Sequence, residues 1–435
     1  MASIISEYSQ IYLSYLKELV NRRSVFENPE DAKKTIEYAK KIFEENLAEY
    51  EIYFDEKQNC IARPKEIDLA QDILYLNAHI DTVGAEEAEW DAPFHPFQAY
   101  ENEHEIVGRG VSDCKAGVAC ELFLSFLVKE KLIHLKNTVF TITFKEEGPG
   151  EKTATCLAKN MGSGLPVSEK MTYLLVLENN VRVENPPVLC AYAAERGNFV
   201  IRITGTIFEL QKHLRKLTKW NPIAIFPEKE HEKENAEIIE QKGGHVCSVE
   251  RAENKLTKVL LDAEETSILH AGKKENMAIV PSKIFVQKGN APEKHVLMIG
   301  KRNFDTLEET LHELQGIRYE EVKNLSRSEG FDGTGKFRDD RISKVFHECE
   351  KTSEIKIEYT HNIGGSDAST ILNSLPKNLL PNFLPIVMGP GSRSQRNAIP
   401  PRLTHGKNET FDKESGGKAI CFITEVLEKS GFLVM

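Results

Sequence analysis

Five short stretches put an imidazole or a carboxylate where an apolar run gives way to a turn, the residue types that metal-assisted or acid–base chemistry draws on. In N-A-H-I-D-T-V from Asn77, His79 and Asp81 are two residues apart, so on a strand both face the same way. One can ligate a cation while the other steadies the imidazole or orients a neighbouring group; alone, such a pair is more often core or chance. V-G-R-G-V-S-D-C-K-A-G from Val107 turns at its glycines before Asp113, which can bridge two cations or simply cap the next helix. T-F-K-E-E-G-P-G from Thr143 ends an apolar run in Glu146 and Glu147. A turn can bring both into one site, one on a metal and one taking a proton from water; in isolation they read as a solvated loop. L-L-V-L-E-N-N from Leu174 ends in Glu178, and T-H-G-K-N-E from Thr404 carries His405. Each is weak by itself, but a metal site needs several separate ligands to converge, and five such positions at the ends of successive elements meet that need.

The elements that must position them are legible from hydrophobic pattern. I-L-Y-L-N-A-H-I from Ile73, T-V-F-T-I-T-F from Thr138 and T-Y-L-L-V-L from Thr172 read as buried strands. K-A-G-V-A-C-E-L-F-L-S-F-L-V from Lys115 reads as a buried helix, and Asp31 to Leu47 as an amphipathic one. This alternation predicts an α/β domain with ligands at the carboxyl ends of its strands. From Arg196 the pattern changes to V-I-R-I-T-G and then to the charge run E-K-E-H-E-K-E-N from Glu228, expected as a solvated face of a smaller α+β unit. Helices are expected again from Arg341 and from Gly417 to Lys429, with a strand from Leu384 between them.

With 435 residues the chain exceeds one ordinary core, so two domains are expected. A formal net charge of -11 disfavours nucleic acid and anionic membranes as partners. The first twenty residues lack a basic region ahead of their apolar positions and read as a single amphipathic helix, not a signal peptide, and no later run is long enough to span a membrane. The eight cysteines form no C-x-x-C pair and are expected as free thiols in a reducing, cytoplasmic compartment. Cys114 is expected to pack, and Cys247 beside His245 to be structural.

Taken together the stretches resemble the co-catalytic zinc metallopeptidase and deacylase family that includes acetylornithine deacetylase, succinyl-diaminopimelate desuccinylase, aminoacylase and carboxypeptidase G. The signposts run in order: H-I-D-T-V at His79, W-D-A-P-F at Trp90, G-R-G-V-S-D-C-K-A-G at Gly108, E-E at Glu146, Glu178, E-R-G at Glu195, N-M-A-I-V-P at Asn276, G-G-S-D-A at Gly364, G-P-G at Gly389 and H-G-K-N-E at His405. The resemblance implies a catalytic domain over 1–195 and 323–435 with a lid domain inserted over 196–322. It implies His79 and Glu178 on one metal, Glu147 and His405 on the other, and Asp113 bridging, with a cis peptide after Asp113. Glu146 is then the general base toward a metal-bound water, Asp81 the partner that orients His79, and Arg196 and Asn276 substrate contacts. The ions implied are two divalent cations, zinc first, with cobalt or manganese compatible.

The chain also departs from the pattern. No His follows Gly205 closely, and His213 is too distant to be equated with it, so the expected state is homodimer or monomer. Lys145 stands where an acid is common, and no basic residue follows G-G-S-D-A. Outside the motifs, His95, His134, His347 and His361 are expected on the surface or in packing, with His361 the exception to watch. Because Glu178 in L-E-N resembles the Glu found in deacetylase and desuccinylase members, the resemblance implies hydrolysis of a small N-acyl amino acid. A dipeptidase or other exopeptidase with the same two metals is the alternative, and a non-catalytic binding homologue is a third.

Overall fold

The computed structural model describes residues 2–148, 152–195, 197–217, 221–227, 295–303, 307–321, 340–362, 365–393 and 404–435. The chain divides into two compact units, one of residues 1–193, 333–360 and 366–435, the other of 194–332 and 361–365.

The first unit is a three-layer arrangement around a nine-stranded mixed sheet. Its strands lie in the order Tyr50–Phe54, Cys60–Pro64, Thr138–Thr143, Ile73–His79, Thr172–Val176, Phe383–Val387, Val188–Glu195 and Lys356–Asn362, with Val181–Arg182 beside Val188–Glu195. The four central strands are mutually parallel, and every residue in them is buried. Helices cover both faces of such a sheet, which accounts for the unbroken apolar character of these strands. The register pairs His79 with Thr143, Asn77 with Val176, and Val176 with Val387. All four strands therefore end together, and the loop leaving each one emerges at the same edge.

Helix Lys115–Lys129 is buried along almost its whole length, between the sheet and helices Ser9–Val20 and Pro29–Asn46. It approaches the sheet at Gly117, where an added Cβ would lie 2.1 Å from the Leu177 carbonyl oxygen. The N-terminal helix expected as one piece is two, Ala2–Glu7 and Ser9–Val20, broken where Tyr8 leaves helical geometry at ψ 11° and turns its ring to Phe126 at 5.8 Å between centroids. The last helix begins at Lys413, a turn before the expected Gly417, because Asp412 caps it by accepting the Ser415 N–H at 2.8 Å.

The second unit is built on a four-stranded antiparallel sheet in the order Asn221–Pro227, His295–Asn303, Gly197–Gly205, Glu320–Glu321, with helices Ile207–Lys216 and Leu307–Glu313. Its separate core holds Phe199, Ile201, Ile203, Leu210, Leu297 and Ile299. Helix Ile207–Lys216 starts at a capping box of Thr206 and Glu209. The charge run from Glu228 lies outside the described residues, as do Cys247 and His245.

Candidate metal centre

At the shared edge of the central strands, five side chains meet. His79 is the last residue of its strand, with its side chain only 1% exposed. Its Nδ1 lies 3.0 Å from the Asp81 carbonyl oxygen. A carbonyl can only accept, so that contact places a proton on Nδ1 and turns the Nε2 lone pair inward, the tautomer a ligand needs. Nε2 is 3.1 Å from Asp113 Oδ1 and 3.8 Å from Glu178 Oε1. His405, in the left-handed region at φ 68°, faces Asp113 from the other side: its Nε2 is 3.2 Å from Asp113 Oδ2 and 2.8 Å from Glu147 Oε1. Each oxygen of Asp113 thus faces a different imidazole, and each imidazole has a second carboxylate of its own.

These groups are too close and too buried to be indifferent to charge. Burial pushes Glu178 and Glu147 well above the usual carboxylate range, with the Asp113 charge adding to it and the nearby imidazoles offsetting part. Burial does the same to Asp113, but its contacts with His405 and His79 outweigh it and hold the carboxyl low. The imidazoles show the converse: burial favours their neutral forms, yet the surrounding anions hold both above their ordinary pKa. Three carboxylates converge on two imidazoles, and this donor set of oxygens and imidazole nitrogens fits divalent cations.

Asp113 is reached through a turn in which Gly110 has φ 75° and the Asp113–Cys114 peptide is cis. The capping alternative fails, because the N-cap of the following helix is Cys114 and no side chain caps it. Cys114 packs at 0% exposure with its thiol donating to the Leu177 carbonyl at 2.7 Å, although its sulfur lies beside His79 and Glu178. Glu146 and Glu147 come after the Thr138–Thr143 strand on a turn, so they are not forced to opposite faces, and Glu146 Oε1 lies 3.8 Å from Lys152 Nζ. Asp81 stands beside His79 and does more besides. Its carboxylate accepts the backbone N–H groups of Glu146 at 3.1 Å and Glu147 at 3.0 Å, while its nearer oxygen stands 3.5 Å from His79 Nδ1. It fixes the Glu146–Glu147 turn first and the imidazole second.

Two features escaped the sequence. Asn179 donates through Nδ2 to Asp113 Oδ2 at 2.6 Å, and its position next to Glu178 in L-E-N-N was the signal available. Glu409, buried at 2%, accepts from Arg109 and from three backbone N–H groups of the Asp113 turn. Arg196 and Asn276 lie outside the described residues, as does the His361 side chain. His95 pairs with Glu87 at 3.1 Å, and the His347 side chain is exposed. The seven described cysteines are free thiols, and no described helix is long and apolar enough to cross a membrane.

Comparison with known proteins places this geometry. The chain is 32% identical over 174 residues to a succinyl-diaminopimelate desuccinylase from Pseudoalteromonas atlantica, a stretch covering 38% of this chain and 42% of that protein's own length. In fold it is similar to a di-peptidase from Saccharomyces cerevisiae, with a TM-score of 0.62 at 12% identity over 99% of this chain and 97% of the other. It is likewise similar to an M20 family metallo-carboxypeptidase from Sulfolobus solfataricus, with a TM-score of 0.60 at 15% identity over 96% and 99%. A sequence profile of one family matches from residue 75 to residue 429, spanning all five converging side chains, and the chain belongs to that family, Peptidase family M20/M25/M40.

Proposed function

We propose that this chain is a two-metal hydrolase that cleaves the amide bond of a small N-acyl amino acid. The observation that carries the proposal is the pair of contacts at Asp113, whose two oxygens face His79 and His405 separately at 3.1 and 3.2 Å. His79 and Glu178 would hold one cation, Glu147 and His405 the other, and Asp113 both. Bound there, two divalent ions such as zinc supply the positive charge that acidifies water and polarises an amide carbonyl. Glu146 accepts the proton of the attacking water and returns it to the departing amine. Asp81 holds Glu146 on its turn through the backbone N–H, so base and ligand Glu147 are set by one carboxylate. Arg196 and Asn276 are assigned to the substrate from the sequence pattern, and residues 196–322 to the lid.

The N-acyl amino acid is favoured by the 32% identity to a desuccinylase, within the stretch that matches. Exopeptidase action on a dipeptide needs the same metals and the same base and is the second reading, favoured by the family itself. Elemental analysis of the purified protein, with hydrolysis of a panel of N-acyl amino acids and dipeptides, tests both. About two ions per chain and cleavage abolished in Glu146→Gln with the ions retained are expected. No uptake of zinc, or undiminished cleavage by Glu146→Gln, refutes the mechanism; the panel chooses the substrate class.

A further inference from the structure

Glu409 lies four residues after His405, and its carboxylate is spent entirely on a segment some 300 residues away. Oε2 accepts from Arg109 Nη1 at 2.8 Å and from the Gly110 N–H at 3.0 Å. Oε1 accepts the N–H groups of Ser112 at 3.0 Å and Asp113 at 3.1 Å. The same Arg109 donates through Nη2 to the His405 carbonyl at 3.2 Å. One guanidinium and one carboxylate therefore tie the backbone of the bridging ligand to the backbone of a terminal ligand. The two segments also meet as short strands, Glu105–Val107 with Thr410–Asp412, and the Ser112 hydroxyl donates to the Thr410 carbonyl at 2.8 Å. Backbone bonding runs one step past that pairing, the Gly108 N–H donating to the Glu409 carbonyl at 3.0 Å, whereas the Glu409 carboxylate reaches Asp113 itself.

We propose that Glu409 is a positioning residue that sets the distance between Asp113 and His405 and so the affinity for the second cation; this rests on the metal-centre reading above. A buried carboxylate with four donors, one of them charged, makes strong hydrogen bonds and cannot turn without leaving donors unpaired. Glu409→Gln keeps the shape but carries one acceptor oxygen and one amide N–H₂, so whichever way it sits, two N–H donors face another donor. The turn that carries Asp113 must then shift, and His405 with it through Arg109. Outer partners that hold metal ligands are worth about 10- to 100-fold in affinity.

The test is titration of the metal-free full chain with zinc against a chelating indicator, and with cobalt(II) followed by its visible absorption, for wild type, Glu409→Gln and Arg109→Lys. The expected result is two ions in wild type and, in Glu409→Gln, one ion weakened about 10- to 100-fold with an altered cobalt spectrum. Arg109→Lys keeps the charge but cannot serve Glu409 and the His405 carbonyl with one planar fork, and should shift the same ion less. If Glu409→Gln is insoluble, Arg109→Lys is read by the same criteria. Two ions in wild type with unchanged affinity and spectrum in the variants overturn the inference. So does a loss confined to the unfolding midpoint of the metal-free protein with the spectrum unchanged, since that is mere structural support. Failure of wild type to bind any ion removes the metal-centre reading instead.

Discussion

Glu121 is a buried acid with no hydrogen-bond partner among the described residues, and its replacement should stabilise the protein in a way that grows with pH. It lies in helix Lys115–Lys129, fully buried, and neither carboxylate oxygen meets a hydrogen-bond donor of the described residues. Burial alone raises its pKa well above the ordinary value of 4.5. At low pH both folded and unfolded chains carry the proton and the residue adds no pH dependence. Above about pH 4.5 the unfolded chain releases the proton while the folded chain keeps it, so rising pH favours unfolding by about 1.4 kcal/mol per unit until the folded-state pKa is reached. Glu121→Gln removes this linkage while keeping the volume. Glu121→Met also removes the unpaired polar group, itself worth about 1–3 kcal/mol. Urea unfolding of wild type and both variants at pH 5, 6 and 7, at one fixed zinc concentration, should show the gap between Glu121→Gln and wild type widening with pH, by at most about 1.4 kcal/mol per pH unit. Glu121→Met should lie above both throughout. A gap that does not change with pH, or a Glu121→Gln variant less stable than wild type at pH 7, would refute the reasoning, because the carboxylate would then be ionised and paired inside the fold.

Close packing near the centre gives further expectations. Gly117→Ala drives a methyl to within 2.1 Å of the Leu177 carbonyl oxygen and 2.9 Å of its Cβ, and should cost about 1–3 kcal/mol, seen as a lower melting temperature. Gly389→Ala puts a methyl 2.2 Å from the Glu178 carbonyl oxygen and 2.3 Å from its nitrogen, so the Glu178 segment must move. Its metal content by elemental analysis should fall below wild type after the same zinc loading, and unchanged content would separate Glu178 from metal binding. Removing the ions with a chelator should lower stability by about 2.7 kcal/mol for each site that had been held at 100-fold over its dissociation constant. Identical denaturation curves with and without chelator would argue against ions bound only to the folded chain.

What the sequence discloses and what it conceals divide along a physical line. The strands ending at His79, Thr143 and Val176 announce themselves because a sheet covered on both faces needs unbroken apolar runs, and a charged residue can appear only where the run stops. Local pattern therefore locates His79, the Glu146–Glu147 pair and Glu178 at strand ends, and the parallel register then delivers them to one edge. No comparable local signal says where a buried carboxylate finds its donors. Asp81 looks like a partner for the imidazole two residues before it and stands 3.5 Å from it, but its oxygens also accept backbone N–H groups 65 and 66 residues later, which no spacing rule anticipates. Glu409 stands in the quoted H-G-K-N-E stretch, where its type is visible but its task is not, since the groups it serves at Arg109 to Asp113 lie some 300 residues earlier in the chain. Ligands can be read from where apolar periodicity ends; the groups that hold ligands in place are fixed by hydrogen-bond satisfaction across the fold, and a backbone N–H carries no residue type to betray it.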